Sequence, residues 1–264
     1  MKFIIQHNSI NVEDLHAIHK TLENYPHHYI GLIPFSREIV SEVELDGLDY
    51  IPYGSTLLTT LVATDLKWKG LFFDLDTFNY SASVKNRDDM LNNDLIISVK
   101  DAVEFLQQKE NVGDWFIRPS HDLKQFSGQV IDSVECTEWL KDAMLCDSSG
   151  SYRLDADTPV VLAKPVNIQA EFRWFIVGGK VISGSLYLCR GQFRKERITD
   201  PELIAEAQQF ADKWLPSPCC VMDLALVDNQ LKVVEFNCIN SSGFYDTDID
   251  LILKELYNYC LNTL

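Results

Sequence analysis

The chain has 264 residues, 46% of them apolar, with 14 Phe, 10 Tyr and 5 Trp. That is more apolar side chain than a disordered segment carries, and enough to build one large core or about two to three small ones. A net charge of -16 argues against nucleic acid as the main partner, because such binders present a basic footprint; a local basic pocket for a nucleotide stays open, since distant charge is screened.

Met1 to Gln6 holds one lysine and a short apolar run, without the charged and apolar regions of a signal peptide. No stretch has the length needed to span a bilayer. The reading is a cytoplasmic protein with no membrane partner. The seven cysteines include no C-x-x-C pair, and Cys219 and Cys220 are adjacent, which suits neither a zinc knuckle nor an ordinary disulfide. Buried, reduced thiols are expected.

In chain order, Phe3 to Gln6 reads as a short strand. Residues 12 to 24 carry Val12, Leu15, Ile18 and Leu22 at helical spacing, with Asn11 as N-cap. Tyr29 to Ile33 and Tyr50 to Pro52 read as strands, and a Gly54-Ser55 turn opens a helix over 55 to 65. Strands alternating with helices predict an α/β unit with a parallel sheet. Residues 67 to 93 show no period. A helix capped by Ser98 is predicted over 98 to 109.

From Trp115 the texture changes. Trp115 to Arg118 is a strand stopped by Pro119, and Gly128 to Asp132 is its return partner. A helix over 137 to 146, a polar loop over 147 to 157 and a strand over Pro159 to Ala163 follow. Gly178-Gly179 and Asp228-Asn229 each mark a hairpin turn requiring positive φ, between strands 171–177 and 181–188 and strands 221–227 and 231–236. Helices are predicted over 201 to 214 and 248 to 261. The front third is therefore α/β and the remainder hairpin-rich α+β.

Four segments carry candidate chemistry. Across the last hairpin, Asp223 lies roughly opposite positions 234 to 236, and Glu235 and Asn237 share a face. Two carboxylates and an amide oxygen suit Mg²⁺; ordinary strand-end polar residues fit the same pattern. Arg118 ends a strand, Lys124 lies six residues on, and Ser127-Gly128 follows. An Arg fork, a mobile Lys and a glycine-flanked backbone suit phosphate; a solvated turn is the plainer alternative, and no Walker spacing is present. Arg173 sits in an apolar strand on the face of Glu171, so a buried guanidinium needs either that carboxylate or a phosphate. Arg190, Arg194, Lys195 and Arg197 cluster in a Gly191-containing segment read as a loop, and residues 237 to 245 form a small-residue segment suited to substrate contact or to a simple turn. No G-x-S-x-G elbow or Cys–His pairing supports nucleophilic catalysis.

Taken in order, these pieces resemble the ATP-grasp superfamily, in the bacterial and phage clade marked by two arginines and a lysine. The carrying motifs are Phe116-Ile117-Arg118-Pro119, Asp122-Leu123-Lys124-Gln125-Phe126-Ser127-Gly128, Glu171-Phe172-Arg173, Gly184-Ser185-Leu186-Tyr187, Asp223, Glu235-Phe236-Asn237 and Ser242-Gly243-Phe244-Tyr245. The resemblance implies an N-terminal Rossmann-like pre-ATP-grasp domain over 1–95. A small ATP-binding lobe over 96–163 and a C-terminal ATP-grasp lobe with the metal site over 164–264 would follow. It implies adenine against Val161, Leu162, Ala163 and Lys164, and phosphates on Arg118 and Lys124. Arg173 would meet the γ-phosphate or an acyl phosphate, with Lys124 and Arg173 as catalytic residues. Mg²⁺ would sit on Asp223, Glu235 and Asn237. Arg194, Arg197, Asn240, Ser242 and Gly243 would contact substrate. The implied reaction is ATP-dependent carboxylate–amine ligation through an acyl phosphate, acting on an amino acid, peptide or protein tail. A phosphotransferase and a non-catalytic nucleotide-binding module are the alternatives.

Overall fold

The computed structural model describes residues 1–33, 36–121, 126–145 and 154–264. The polar loop expected over 147 to 157 and Lys124 therefore lie partly or wholly outside the described residues.

The first sheet is built by β1 (Lys2–Gln6), β2 (His27–Leu32), β3 (Ile39–Ser41) and β4 (Tyr50–Tyr53), in the order β3-β2-β1-β4. β1 runs parallel to both β2 and β4, and β3 is an antiparallel edge. Helix α1 (Val12–Leu22) starts where Asn11 accepts the Asp14 amide at 2.8 Å. Ser55 caps α2 (Thr56–Leu61), which continues as one π-helical turn, Val62–Leu66, and stops at Lys67 with φ 57°.

The stretch without period holds helix α3 (Tyr80–Asn86), capped by Asn79. Arg87 then pairs with Asp89 at 2.7 and 3.0 Å and donates to the Phe210 and Trp214 carbonyls. Residues 89 to 91 run beside Val233, through bonds of 2.9 and 2.8 Å. This clamp delivers Asn92 to the cleft described below.

The second sheet contains β5 (Leu95–Ser98), β6 (Asp114–Pro119), β7 (Gln129–Asp132) and β8 (Pro159–Ala163), in the order β5-β8-β6-β7 and antiparallel throughout. Helices α4 (Val99–Leu106) and α5 (Ser133–Leu145) share with it a core that includes Val99, Ile117, Leu140, Val160 and Leu162.

The third sheet contains β9 (Ala170–Val177), β10 (Lys180–Cys189), β11 (Gln192–Arg197), β12 (Cys220–Val227) and β13 (Gln230–Asn237), in the order β11-β10-β9-β12-β13. Strand alternation splits its side chains between two cores. Trp174, Ile176 and Met222 pack with Ala207 and Ala211 of α6 (Pro201–Lys213). Phe175, Val177 and Val221 pack with Ile252 and Leu256 of α7 (Ile249–Thr263) and with Phe3, Ile5 and Ile18. The first and third sheets thus share one core.

Residues 192 to 197, expected as loop, form the edge strand β11, every residue of which is exposed. Both hairpin turns have the expected positive φ: 59° and 78° at Gly178 and Gly179, 50° and 60° at Asp228 and Asn229. Gly184 is required for a different reason. A Cβ there would lie 2.3 Å from Trp174 Cε3, inside a buried indole.

Asn240 joins the first sheet to the third. Its amide donates to the Pro52 and Gly70 carbonyls at 2.7 and 3.0 Å, and its carbonyl oxygen accepts the Phe72 amide at 2.9 Å. Asn240→Ala strands these buried backbone groups, each costing about 1–3 kcal/mol, so denaturant unfolding should show a loss of about 3 kcal/mol. Gly184→Ala should cost about 1–3 kcal/mol through overpacking. Unchanged midpoints would contradict both assignments.

Candidate functional site

A cleft of about 500 Å³ opens between the second and third sheets. Phe116 and Arg118 of β6 and Gly128 to Val130 form one wall. Glu171 of β9, Tyr187 of β10 and Glu235 of β13 form the other, and the linker residues Pro165, Val166 and Ile168 close one end.

The floor follows from strand register. Asp223 of β12 lies opposite Arg173 of β9 on one side and Glu235 of β13 on the other. Arg173 forks onto Asp223, from Nε to Oδ1 at 2.9 Å and from Nη2 to Oδ2 at 2.7 Å, and its Nη1 donates to the Gly243 carbonyl at 3.3 Å. The Arg173 side chain is 10% exposed and that of Asp223 2%. Tyr187 and Tyr245 stack at 5.1 Å, and the guanidinium lies 4.9 Å from the Tyr245 ring. Burial opposes charge on Arg173, but Asp223 more than offsets this and raises its pKa.

Arg118 crosses from the opposite wall, pairs with Glu235 and donates to the Val234 carbonyl at 3.3 Å. Its guanidinium also lies 5.1 Å from the Tyr80 ring. Asn237 Nδ2 sits between the carboxylates, 3.1 Å from Asp223 Oδ2 and 3.1 Å from Glu235 Oε1. Burial pushes the Glu235 carboxyl up, yet the charge of Arg118, the Asn237 bond and Arg173 hold it below the ordinary value. Glu171 behaves oppositely. Burial raises it, with Asp223 and Glu235 adding to the rise, against a hydrogen bond from the Tyr187 hydroxyl.

The structure brings Arg118, Arg173, Asp223, Glu235 and Asn237 into one contiguous cluster. The partner of Arg173 is Asp223; Glu171, the carboxylate that sequence spacing offered, is taken by Tyr187. Val161, Leu162 and Ala163 are buried in β8, where all three pair with β6 and Val161 and Leu162 also pair with β5. The cleft wall begins beyond them, at Pro165. Lys164 lies 3.5 Å from the Trp115 ring, and its amide donates to Asp94 at 2.9 Å. Arg194 pairs with Glu196 on the exposed edge strand, and Arg197 with Asp248 at 3.1 Å; neither lines this cleft. Asn240 and Ser242 are buried, with side chains bonded to protein backbone, and Gly243 offers its carbonyl to Arg173. Sequence reasoning missed Tyr80, Asn92, His121 and the linker residues Pro165, Val166 and Ile168. Only the proline-bearing break after β8 could have signalled the last group.

Asp223, Glu235 and Asn237 fit a divalent cation of the Mg²⁺ kind. Their donors are hard oxygens, and the buried Asn237 Oδ1 has no hydrogen-bond partner, so turning the amide over would present an oxygen where Nδ2 now sits between the carboxylates. The set is two carboxylates and an amide; among the described residues no group of three or more His, Cys, Asp or Glu is placed to hold a metal. Thiol chemistry has little support. Burial pushes the thiol pKa values of Cys136, Cys219 and Cys260 up to about 12. Among the described residues no helix is long and apolar enough to cross a membrane.

The ATP-grasp domain of R2K clade family 3 matches residues 79–256. No curated protein matches the chain. Among solved structures, the D-cycloserine synthetase DcsG aligns over 98% of this chain and 97% of its own, with a TM-score of 0.62 at 11% identity. D-alanyl-alanine synthetase A of Vibrio cholerae O1 biovar eltor aligns over 98% and 93%, with a TM-score of 0.58 at 12% identity. The ATP-grasp ligase PsnB, in complex with precursor peptide PsnA2 and AMPPNP, aligns over 98% of each chain, with a TM-score of 0.56 at 13% identity. The mixed α/β fold is therefore that of ATP-grasp ligases.

Asp223→Ala should cost about 3–5 kcal/mol in denaturant unfolding, because it leaves Arg173 buried and uncompensated. Asp223→Ala at parental stability would show that the pair does not form as described.

Proposed function

The chain belongs to the ATP-grasp domain family, R2K clade family 3, and on that premise we propose that it is a Mg-dependent, ADP-forming ligase joining a carboxylate to an amine through an acyl phosphate. The observation that carries this reading is the meeting of two arginines from opposite walls with two carboxylates and an amide at the floor of one cleft. PsnB has been solved with a precursor peptide and with Mg and ADP, and an amino acid, peptide or protein tail is the acceptor class that this supports.

In the proposed arrangement the purine lies against Pro165, Val166 and Ile168, apolar linker residues at the end of the cleft. Arg118, on the small-sheet wall, holds the phosphates nearer the base, together with Lys124. Arg173, at the floor, meets the terminal phosphoryl group and the developing acyl phosphate. A cation on Asp223, Glu235 and Asn237 would neutralise phosphate charge and orient the transferring group. Arg173 is fixed before substrate arrives by two bonds to Asp223 and the ring of Tyr245. Such preorganised charge stabilises a transition state without reorganisation cost. No side-chain nucleophile is required. A substrate carboxylate attacks the terminal phosphorus and ADP leaves; an amine then attacks the acyl carbon and phosphate leaves. We propose as working domains an α/β unit over 1–95, a small lobe over 96–163 and a metal-bearing lobe over 164–264, a reading that the separation into three sheets supports.

Incubation with Mg·ATP, hydroxylamine and pooled amino acids, small acids and peptides tests the reaction. The parent should release ADP and form a hydroxamate. Glu235→Ala should reduce both by about 10²-fold or more. ADP with a stable phosphorylated product would replace the ligase with a kinase, and ADP release unaffected by Glu235→Ala would remove the cleft from the chemistry.

A further inference from the structure

The carboxylates proposed to hold the cation are already covered. Arg173 takes both oxygens of Asp223, and Arg118 pairs with Glu235 from the facing wall, while the Asn237 amide bridges the two acids. Resting on the proposed function, we infer that Arg118 acts as an internal counter-ion occupying the cation's place until nucleotide phosphates draw it away, so that a divalent cation binds this chain together with a nucleotide and not before it.

The two arginines differ in how firmly they are held. Arg173 is buried under stacked Tyr187 and Tyr245, with a third bond to the Gly243 carbonyl. Arg118 lines the open cleft with a side chain 14% exposed, and Glu235 is 26% exposed. It reaches from the second sheet to the third, so breaking its pair with Glu235 requires no change within either sheet. Phosphate offers the same fork the bidentate acceptor geometry that a carboxylate does.

Charge counting gives the coupling its direction. Two guanidinium groups balance Asp223 and Glu235, so a bare dication entering the cluster would meet no net negative charge from these four groups and would have to displace an arginine into the cleft. Mg·ATP is itself an anion, so its phosphates can accept Arg118 while the cation takes Glu235. Each ligand removes the obstacle to the other, which is positive coupling between two sites and is reciprocal. Glu171 adds a further carboxylate beside the cluster, accepting the Tyr187 hydroxyl through Oε2, but it does not release Glu235, whose oxygens stay with Arg118 and Asn237.

Binding of Mn²⁺, read by equilibrium dialysis as the excess of metal on the protein side over the side holding nucleotide alone, tests the inference without turnover. The parent should bind Mn²⁺ with ATP and bind it at least about tenfold more weakly without nucleotide, a coupling of about 1.4 kcal/mol. Arg118→Gln should bind Mn²⁺ without nucleotide about tenfold more tightly than the parent does, and Arg118→Gln combined with Glu235→Gln should lose that gain. The reciprocal variant uses the other partner: Glu235→Gln alone frees Arg118, so ATP in the presence of EDTA should bind about tenfold more tightly than to the parent. Equal Mn²⁺ affinity of the parent with and without ATP, or no gain in both Arg118→Gln and Glu235→Gln, overturns the inference. Failure of the parent to bind Mn·ATP at all would instead overturn the functional reading on which it rests.

Discussion

The turn at Asp228-Asn229 and the bulge that follows it along β12 together determine which residue of β12 faces which residue of β13, and the whole cleft floor depends on that pairing. Both turn residues adopt positive φ and set the ladder from Val227 opposite Gln230 to Leu224 opposite Val233; the bulge between Leu224 and Asp223 then adds the one-residue shift that places Asp223 opposite Glu235. A slip of one residue would send every side chain of β13 to the opposite face, exposing Val233 and separating the carboxylates. The packing of α6 prevents this, because Val233 and Phe236 are committed to its core. The site is therefore held in place by the apolar core beside it, and the segment clamped at Arg87 and Asp89 covers the outer edge of the same strand.

Electrostatic balance is the second constraint. The chain carries a net charge of -16 yet collects two arginines at the point where the buried Asp223 and the half-buried Glu235 meet. Unpaired, Asp223 in particular would be costly, since a buried carboxylate without a partner shifts its pKa or destabilises the fold. Pairing settles the charge within the protein and leaves a cluster that is already polarised toward phosphate. The same four charges thus serve folding and the proposed chemistry, so substitutions there are expected to alter stability and ligand affinity together.

Local signals in the sequence carried much of the fold. Gly178-Gly179 and Asp228-Asn229 announce turns because few other residues accept positive φ, and Asn11 and Ser98 announce helix starts because their side chains satisfy orphan amides. The elements missed lacked such signals. Strand β11 is exposed at every position, so no alternation existed to read. Helix α3 is one short helix whose burial is decided by partners far away in the chain. The cluster of Arg118, Arg173, Asp223, Glu235 and Asn237 was legible as residue types at spacing, but the pairing of Arg173 with Asp223 rather than Glu171 depends on inter-strand register. Asn240 shows the limit most clearly. Its composition suggested a substrate loop, whereas its amide is consumed by backbone groups 168 to 188 residues away. The apolar run Val161 to Ala163 fits a cofactor wall by composition, and it also fits the buried strand β8 that it forms between β5 and β6.

The most direct measurement is a crystal structure of the chain soaked or grown with Mg²⁺ and a non-hydrolysable ATP analogue. The account predicts a purine against Pro165 to Ile168, phosphates contacting Arg118 and Arg173, and a cation bridging those phosphates to Asp223, Glu235 and Asn237. A nucleotide seated outside this cleft, or a cation held without Asp223 and Glu235, would contradict it.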